Sequence, residues 1–290
     1  MTKGTEVAVK VDNSVPAFLQ GETGYTGAEG IDKTDITIPQ IKLGQAMSSE
    51  VKDGTVNEGD LFLNVTGEIL APAGTPLRFI PIASSKEYLL WRDRNFEGGG
   101  IMARAKKSKT LTPGGDPIYI WDKPGQTFTN KVKNAIPVEW VTEADGLIPT
   151  QGLDSWGSEI PGDDESGKAA TAHHNYVICL PEHGNMIAAF SLSRTQVKPA
   201  NDFNAMLNMA TLPIYARLFT VTTYEQTKGN DKWANLKMKP AGVSQDEELY
   251  KTLKALHEQY IGGKFEIDQT GEAAAIPRTT EASKWRDPST

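Results

Sequence analysis

Apolar residues fall at every second position along much of this chain. In ITIPQIKLGQAM, Ile36, Ile38, Ile41 and Leu43 alternate with polar residues around Pro39, which predicts a bent edge strand. Short strands follow at LFLNV and PLRFIPIAS, set off by the turn signals Asp53-Gly54 and Glu58-Gly59-Asp60. Ser85 to Gly100, SKEYLLWRDRNFEGGG, reads as a strand ending in a Gly98–Gly100 turn, and IMARAKK returns beside it. Turns and short strands alternate through LTPGGDPIYIWDKPGQTFTNKV and KNAIPVEWVTE, whereas residues 143–172 are acidic and aperiodic, the pattern of an exposed loop. HNYVICLP and NMIAAFSLS form a strand pair joined at Glu182-His183-Gly184.

The period then changes. Phe203, Met206, Leu207 and Ala210 recur at helical spacing in residues 200–212, predicting an amphipathic helix. Residues 213–242 form the clearest hairpin, turning at Lys228-Gly229-Asn230-Asp231. A second helix follows, with Ser244 and Glu247 as a capping box and Leu249, Leu253, Leu256 and Tyr260 on one face. Many strands and two late helices predict a mainly β (α+β) chain, an elaborated OB-fold-like antiparallel barrel with long loops. Residues 1–34 read as an irregular arm, 35–261 as one domain, and 262–290 as a flexible tail. No internal repeat of fixed period is present.

Composition sharpens this picture in two places. Glycine and proline number 27 and 17 in 290 residues, which favours a loop-rich β chain over a helical bundle. Cys179 is the single cysteine, so no disulfide can form within the chain. The opening MTKGTEVAVKVDNSVPAF has no signal-like apolar run, and no stretch approaches the roughly 18 apolar residues of a membrane span, so the host-cell cytoplasm is the expected location.

The net charge of −7 conceals two basic segments. Residues 78–109 carry 8 basic and 3 acidic side chains, and residues 194–239 carry 7 and 3. Residues 143–168 carry 1 and 7. Two basic segments in an acidic chain can line one groove while the remaining acid limits nonspecific adhesion.

Several chemistries fit poorly. There is no G-x-x-x-x-G-K-[ST] loop, and Gly21, Gly24 and Gly27 lack a strand before them and a helix after. His173, His174, Cys179 and His183 lie close in sequence, but adjacent strand residues point to opposite faces, so His173 and His174 cannot share a metal. No G-x-S-x-G elbow occurs, and Asp163, Asp164 and Glu165 read as a solvated loop. No cofactor, metal or catalytic residue is expected.

The basic-aromatic segment has a clearer use. A single strand of nucleic acid needs cations for its phosphates and flat surfaces for its unpaired bases. Lys86, Tyr88, Trp91, Arg92, Arg94 and Phe96 supply both, Arg104, Lys106, Lys107 and Lys109 extend the cations, and Arg194 and Lys198 add a second patch. The competing reading is that rings on strands, Trp91 above all, are core.

The succession VPAFLQGETGYTGAEGIDKTDITIPQIKLGQAMSSEVKDG, GDLFLNVTGEIL, YLLWRDRNFEGGGIMARA and GLDSWGSEIPGDDESGKAAT resembles a group of bacteriophage proteins, over about residues 15–260. That group is encoded near replication and recombination genes and regarded as single-stranded DNA-binding proteins. The resemblance implies an oligonucleotide-binding barrel that coats exposed strands without catalysis, partnered by single-stranded DNA and by phage or host replication and recombination proteins. The ending EASKWRDPST departs from the acidic tail through which many strand-coating proteins recruit partners, leaving the acidic loop at 154–165 as the substitute. A phage virion or assembly protein and a metal-dependent nuclease are the alternatives.

Overall fold

The computed structural model describes residues 38–91, 101–111, 117–121, 128–131, 134–136, 154–156, 167–209 and 211–261. The arm and the tail expected at the two ends lie outside them. The strands are β1 (Gln40–Leu43), β2 (Leu61–Leu63), β3 (Ile69–Ala71), β4 (Leu77–Trp91), β5 (Ile101–Leu111), β6 (Pro117–Trp121), β7 (Phe128–Lys131), β8 (Asn134–Ile136), β9 (Ala170–Leu180), β10 (Met186–Ser193), β11 (Arg217–Lys228) and β12 (Asp231–Val243). The helices are α1 (Ser49–Lys52), α2 (Val197–Asn208) and α3 (Glu247–Ile261).

Among the described residues, ten strands join one sheet that curls into an open half-barrel, and β7 pairs only with β8. The sheet runs β12-β11-β4-β9-β10-β1-β2-β3, with β5 and β6 attached through β4. Strand β4 is its spine. It meets β11 through Leu77–Phe79 and β9 along Ile80–Leu90, and from Glu87 onward it also meets β5. The two short segments expected here are therefore one continuous strand. Pro81 is accommodated because the register against β9 shifts between Pro81 and Ala83, where a missing N–H is tolerated. Among the described residues pairing is antiparallel, as expected, except that β1 runs parallel to β10. A parallel neighbour needs a long crossover, a relation that alternation in the sequence does not encode.

Two layers of helix cover the sheet. Pro199, Ala200, Phe203 and Leu207 of α2 bury into a cluster containing Phe79, Tyr176, Phe190, Phe219 and Leu236. The Phe203 ring lies 5.1 Å from Tyr176, 5.0 Å from Phe219 and 5.6 Å from Phe79, edge-on to all three. On the other face Leu249 and Leu253 of α3 pack over Ile80, Ile82, Val177, Cys179 and Ala189. Strand β9 serves both layers because its residues alternate, Tyr176 and Ile178 toward one and Val177 and Cys179 toward the other. The cap of α3 differs from the expected box: the Leu249 N–H donates to Asp246 Oδ1 at 2.9 Å, so Asp246 is the capping residue. The short α1 had no apolar periodicity to announce it.

The two ends of the curled sheet meet through side chains. The Gln45 amide, just past β1, donates from Nε2 to the Ala234 carbonyl at 2.8 Å and accepts from the Ala234 N–H at 3.3 Å, pairing with β12 as a strand would. Gly44 lets the turn before Gln45 pack against Asn57, since a Cβ there would collide with the Asn57 carbonyl oxygen. Buried Asp60 fixes the neighbouring turns by accepting from the Ala73 N–H at 2.8 Å and the Asn57 N–H at 2.9 Å. The Gly74 N–H in turn donates to Thr223 Oγ1 of β11 at 2.9 Å.

Phe203→Ala removes the ring on which three strands converge. Urea unfolding should show a loss of about 3–5 kcal/mol, against less than about 1 kcal/mol for exposed Met209→Ala at the end of the same helix.

Candidate nucleic-acid interface

Strand β12 alternates over Leu236–Lys239, where Leu236 and Met238 are buried and Lys237 and Lys239 are exposed. The register sets Lys237 opposite Thr222 and Lys239 opposite Thr220, and it places Tyr224 and Gln226 on the same face as these lysines. Helix α2 adds Lys198, Asp202 and Met206 to the same lining. Together they bound an open groove of about 860 Å³. Tyr224 is 45% exposed within it, a large ring left uncovered by the fold.

The charge in this groove is net positive. Lys198 Nζ lies 2.9 Å from Asp202 Oδ2, and that bonded carboxylate raises the ammonium pKa. Both side chains are solvated, so the pair contributes little to stability. Lys237 and Lys239 stand two residues apart on one strand face, a separation of roughly 6.8 Å. A polyanion with regularly spaced charges is the natural complement of such a row.

The residues expected from the sequence are distributed unevenly. Lys198 lines the groove. Arg194 is exposed in the turn before α2, in a left-handed conformation with φ 53° that is uncommon outside glycine. Tyr88 is only 7% exposed, and the half-buried Lys86 holds its ammonium 4.9 Å from the centre of that ring. The Tyr88 ring is therefore buried in the sheet. Arg104 is half-buried on β5 beside Leu89, and Lys106 is exposed opposite Glu87. Trp91, Lys107 and Lys109 lie on β4 and β5 with side chains outside the described set, and Arg92, Arg94 and Phe96 lie outside the described residues altogether. Sequence reasoning did not single out Tyr224, Gln226, Lys237 and Lys239. Their signal was the alternation in NLKMK, which marks a lysine face on a half-buried strand.

The two adjacent histidines do occupy opposite faces of β9. His173 sits in a polar array in which Thr171 Oγ1 is 3.2 Å from Nε2 and Ser191 Oγ donates to Asn175 Oδ1 at 2.8 Å, while Asn175 Nδ2 donates to Glu87 Oε1 at 2.8 Å. His174 faces α2. The Tyr176 hydroxyl donates to Asn204 Oδ1 at 2.9 Å, which turns the Asn204 amide nitrogen toward His174 Nδ1 at 3.1 Å. Among the described residues no three His, Cys, Asp or Glu side chains are grouped to hold a metal ion. Burial pushes the Cys179 thiol up to about 11, so it stays protonated among apolar neighbours. No helix among the described residues is long and apolar enough to cross a membrane.

A mainly β chain with a half-barrel sheet and a basic groove on its terminal hairpin is the class that the geometry defines. The family model for the Pam3 phage gp34-like protein matches residues 5–266, and the chain belongs to that family, a family of phage proteins. No curated protein and no solved structure matches the chain.

Acid should weaken the fold through the histidine pair. Burial, then Arg194, Arg104 and His174, hold His173 at about 3, and burial, then Lys86, hold His174 at about 4, both below the usual 6.5. Each binds a proton in the unfolded chain before it can in the folded one, so stability is full above pH 6.5 and falls as pH drops toward 4 and 3. Urea midpoints measured from pH 7.5 downward should decline from about pH 6.5, and His173→Gln should flatten part of that decline.

Proposed function

We propose that this protein is a non-catalytic single-stranded DNA-binding protein that coats and protects exposed strands during phage replication and recombination. Its half-barrel would serve as an elaborated OB-fold-like platform in the host-cell cytoplasm, working beside phage or host replication and recombination proteins. The observation that carries the reading is the groove itself, whose lining brings Lys198, Lys237 and Lys239 together with the exposed Tyr224 ring. Cations on one strand face meet successive phosphates, and a ring on the same face offers a stacking surface to a base that is not paired. A duplex keeps its bases stacked on one another and can use only the lysines. An acidic chain with this local basic face would hold DNA there and repel it elsewhere. The resemblance in the sequence points the same way, and membership of a phage family is consistent with it. The groups in the groove bind and orient a strand, so the role assigned to them involves no bond-making.

Fluorescence anisotropy with labelled oligo-dT and a duplex of equal length tests this reading. Oligo-dT should bind at least about tenfold more tightly than duplex, because stacking adds to phosphate neutralisation. The double variant Lys237→Gln, Lys239→Gln should weaken oligo-dT and lower the salt slope by about 1.4, at about 0.7 for each phosphate no longer neutralised. Equal binding to duplex and single strand, or an unchanged slope, would overturn the assignment of this groove.

A further inference from the structure

The groove contains a side-chain amide whose orientation the main chain dictates. Asn235 on β12 is 3% exposed, and its Oδ1 accepts from the Leu236 N–H at 2.8 Å. Its Nδ2 approaches the Thr195 carbonyl at 3.4 Å and donates to Gln226 Oε1 at 2.6 Å. A backbone N–H can only donate and a backbone carbonyl can only accept, so the Asn235 amide has one orientation. That orientation presents NH₂ to Gln226, which must answer with its oxygen. The Gln226 Nε2 group is thereby turned away from Asn235. Gln226 lines the groove two residues beyond Tyr224 on the same strand face.

Resting on the single-stranded DNA reading, we infer that Tyr224 and Gln226 form a base-reading subsite that prefers thymine to cytosine. A base stacked on the Tyr224 ring projects one edge along β11 toward Gln226, roughly 6.8 Å away along the strand. The Gln226 amide nitrogen meets that edge as a donor. With its position-4 edge turned to Gln226, thymine offers the O4 carbonyl as an acceptor and cytosine the N4 amino group, so that two donors face each other, whereas the O2 shared by both bases would give no preference. The locked amide cannot rotate to present its oxygen without breaking the bond to Asn235. A donor fixed before binding loses no orientational freedom on binding, and it leaves the mismatched base with an unsatisfied amino group. Lys237 and Lys239, on the same face, hold the phosphates of either sequence and carry no preference.

The test measures oligo-dT and oligo-dC side by side on the full chain. The wild type should bind oligo-dT about fivefold or more tightly than oligo-dC. Gln226→Glu, which can accept but not donate, should cancel or invert that ratio, and Gln226→Met, which does neither, should level it without adding charge. Tyr224→Ala should weaken both oligonucleotides by about tenfold, leaving little preference to measure. Thermal melts of each variant separate loss of the subsite from loss of the fold. Tight binding with no preference, a ratio unchanged in both Gln226 variants, or full affinity in Tyr224→Ala overturns the subsite and leaves the DNA-binding reading standing. Failure of the wild type to bind either oligonucleotide overturns the reading and the subsite together.

Discussion

The Phe203 ring lies between Phe79, Tyr176 and Phe219, which belong to β4, β9 and β11, so a single side chain ties α2 to three strands and the candidate interface depends on it. Those strands are far apart in sequence and reach this point only because β4 runs through the middle of the sheet. The groove is lined by residues of that helix and of the hairpin. Without edge-on packing at about 5 Å, Lys198 would have no fixed relation to Lys237 and Lys239.

A second constraint is the meeting of the two ends of the sheet. A twisted sheet that stops short of closing leaves unpaired backbone along its outer strands, and an open edge invites another chain. Here β12 is guarded in two ways. The Gln45 amide occupies the backbone of Ala234, and Lys237, Lys239 and Pro240 make the rest of that strand a poor template for pairing. The same lysines that discourage a neighbouring strand attract a polyanion, so one feature of the edge serves both purposes. Asp60 and Gly44 hold the turn that delivers Gln45, which makes two loop residues important to a strand far away in sequence.

Polar groups inside the sheet are arranged so that each fixes the next. Tyr176 orients Asn204, which selects the tautomer of His174, and Leu236 and Thr195 orient Asn235, which selects the amide face of Gln226. The second chain begins at a backbone N–H and a backbone carbonyl, each of one possible polarity, whereas the first begins at the Tyr176 hydroxyl, which can donate or accept. The first ends in a buried imidazole held neutral, a structural outcome. The second ends in a groove, where a fixed donor can discriminate between ligands.

Period-2 alternation determined most of the strands by itself, because a half-buried strand must turn one face to the core. The hairpin of β11 and β12, the pairing of β9 with β10 and both long helices follow from local pattern, as does the placement of His173 and His174 on opposite faces. Charge counted along the chain also marked residues 194–239 as basic. Local pattern could not say which rings are covered. Tyr88 and Tyr224 both sit on alternating strands beside cations, yet Tyr88 is core because β4 is central, and Tyr224 is open because β11 lies near the sheet's end. Nor could it place Lys198 beside Lys237, or give β1 a parallel partner. Those relations are made by side chains many residues apart packing on a shared face, and burial is a property of that packing and not of the residue or its neighbours in sequence.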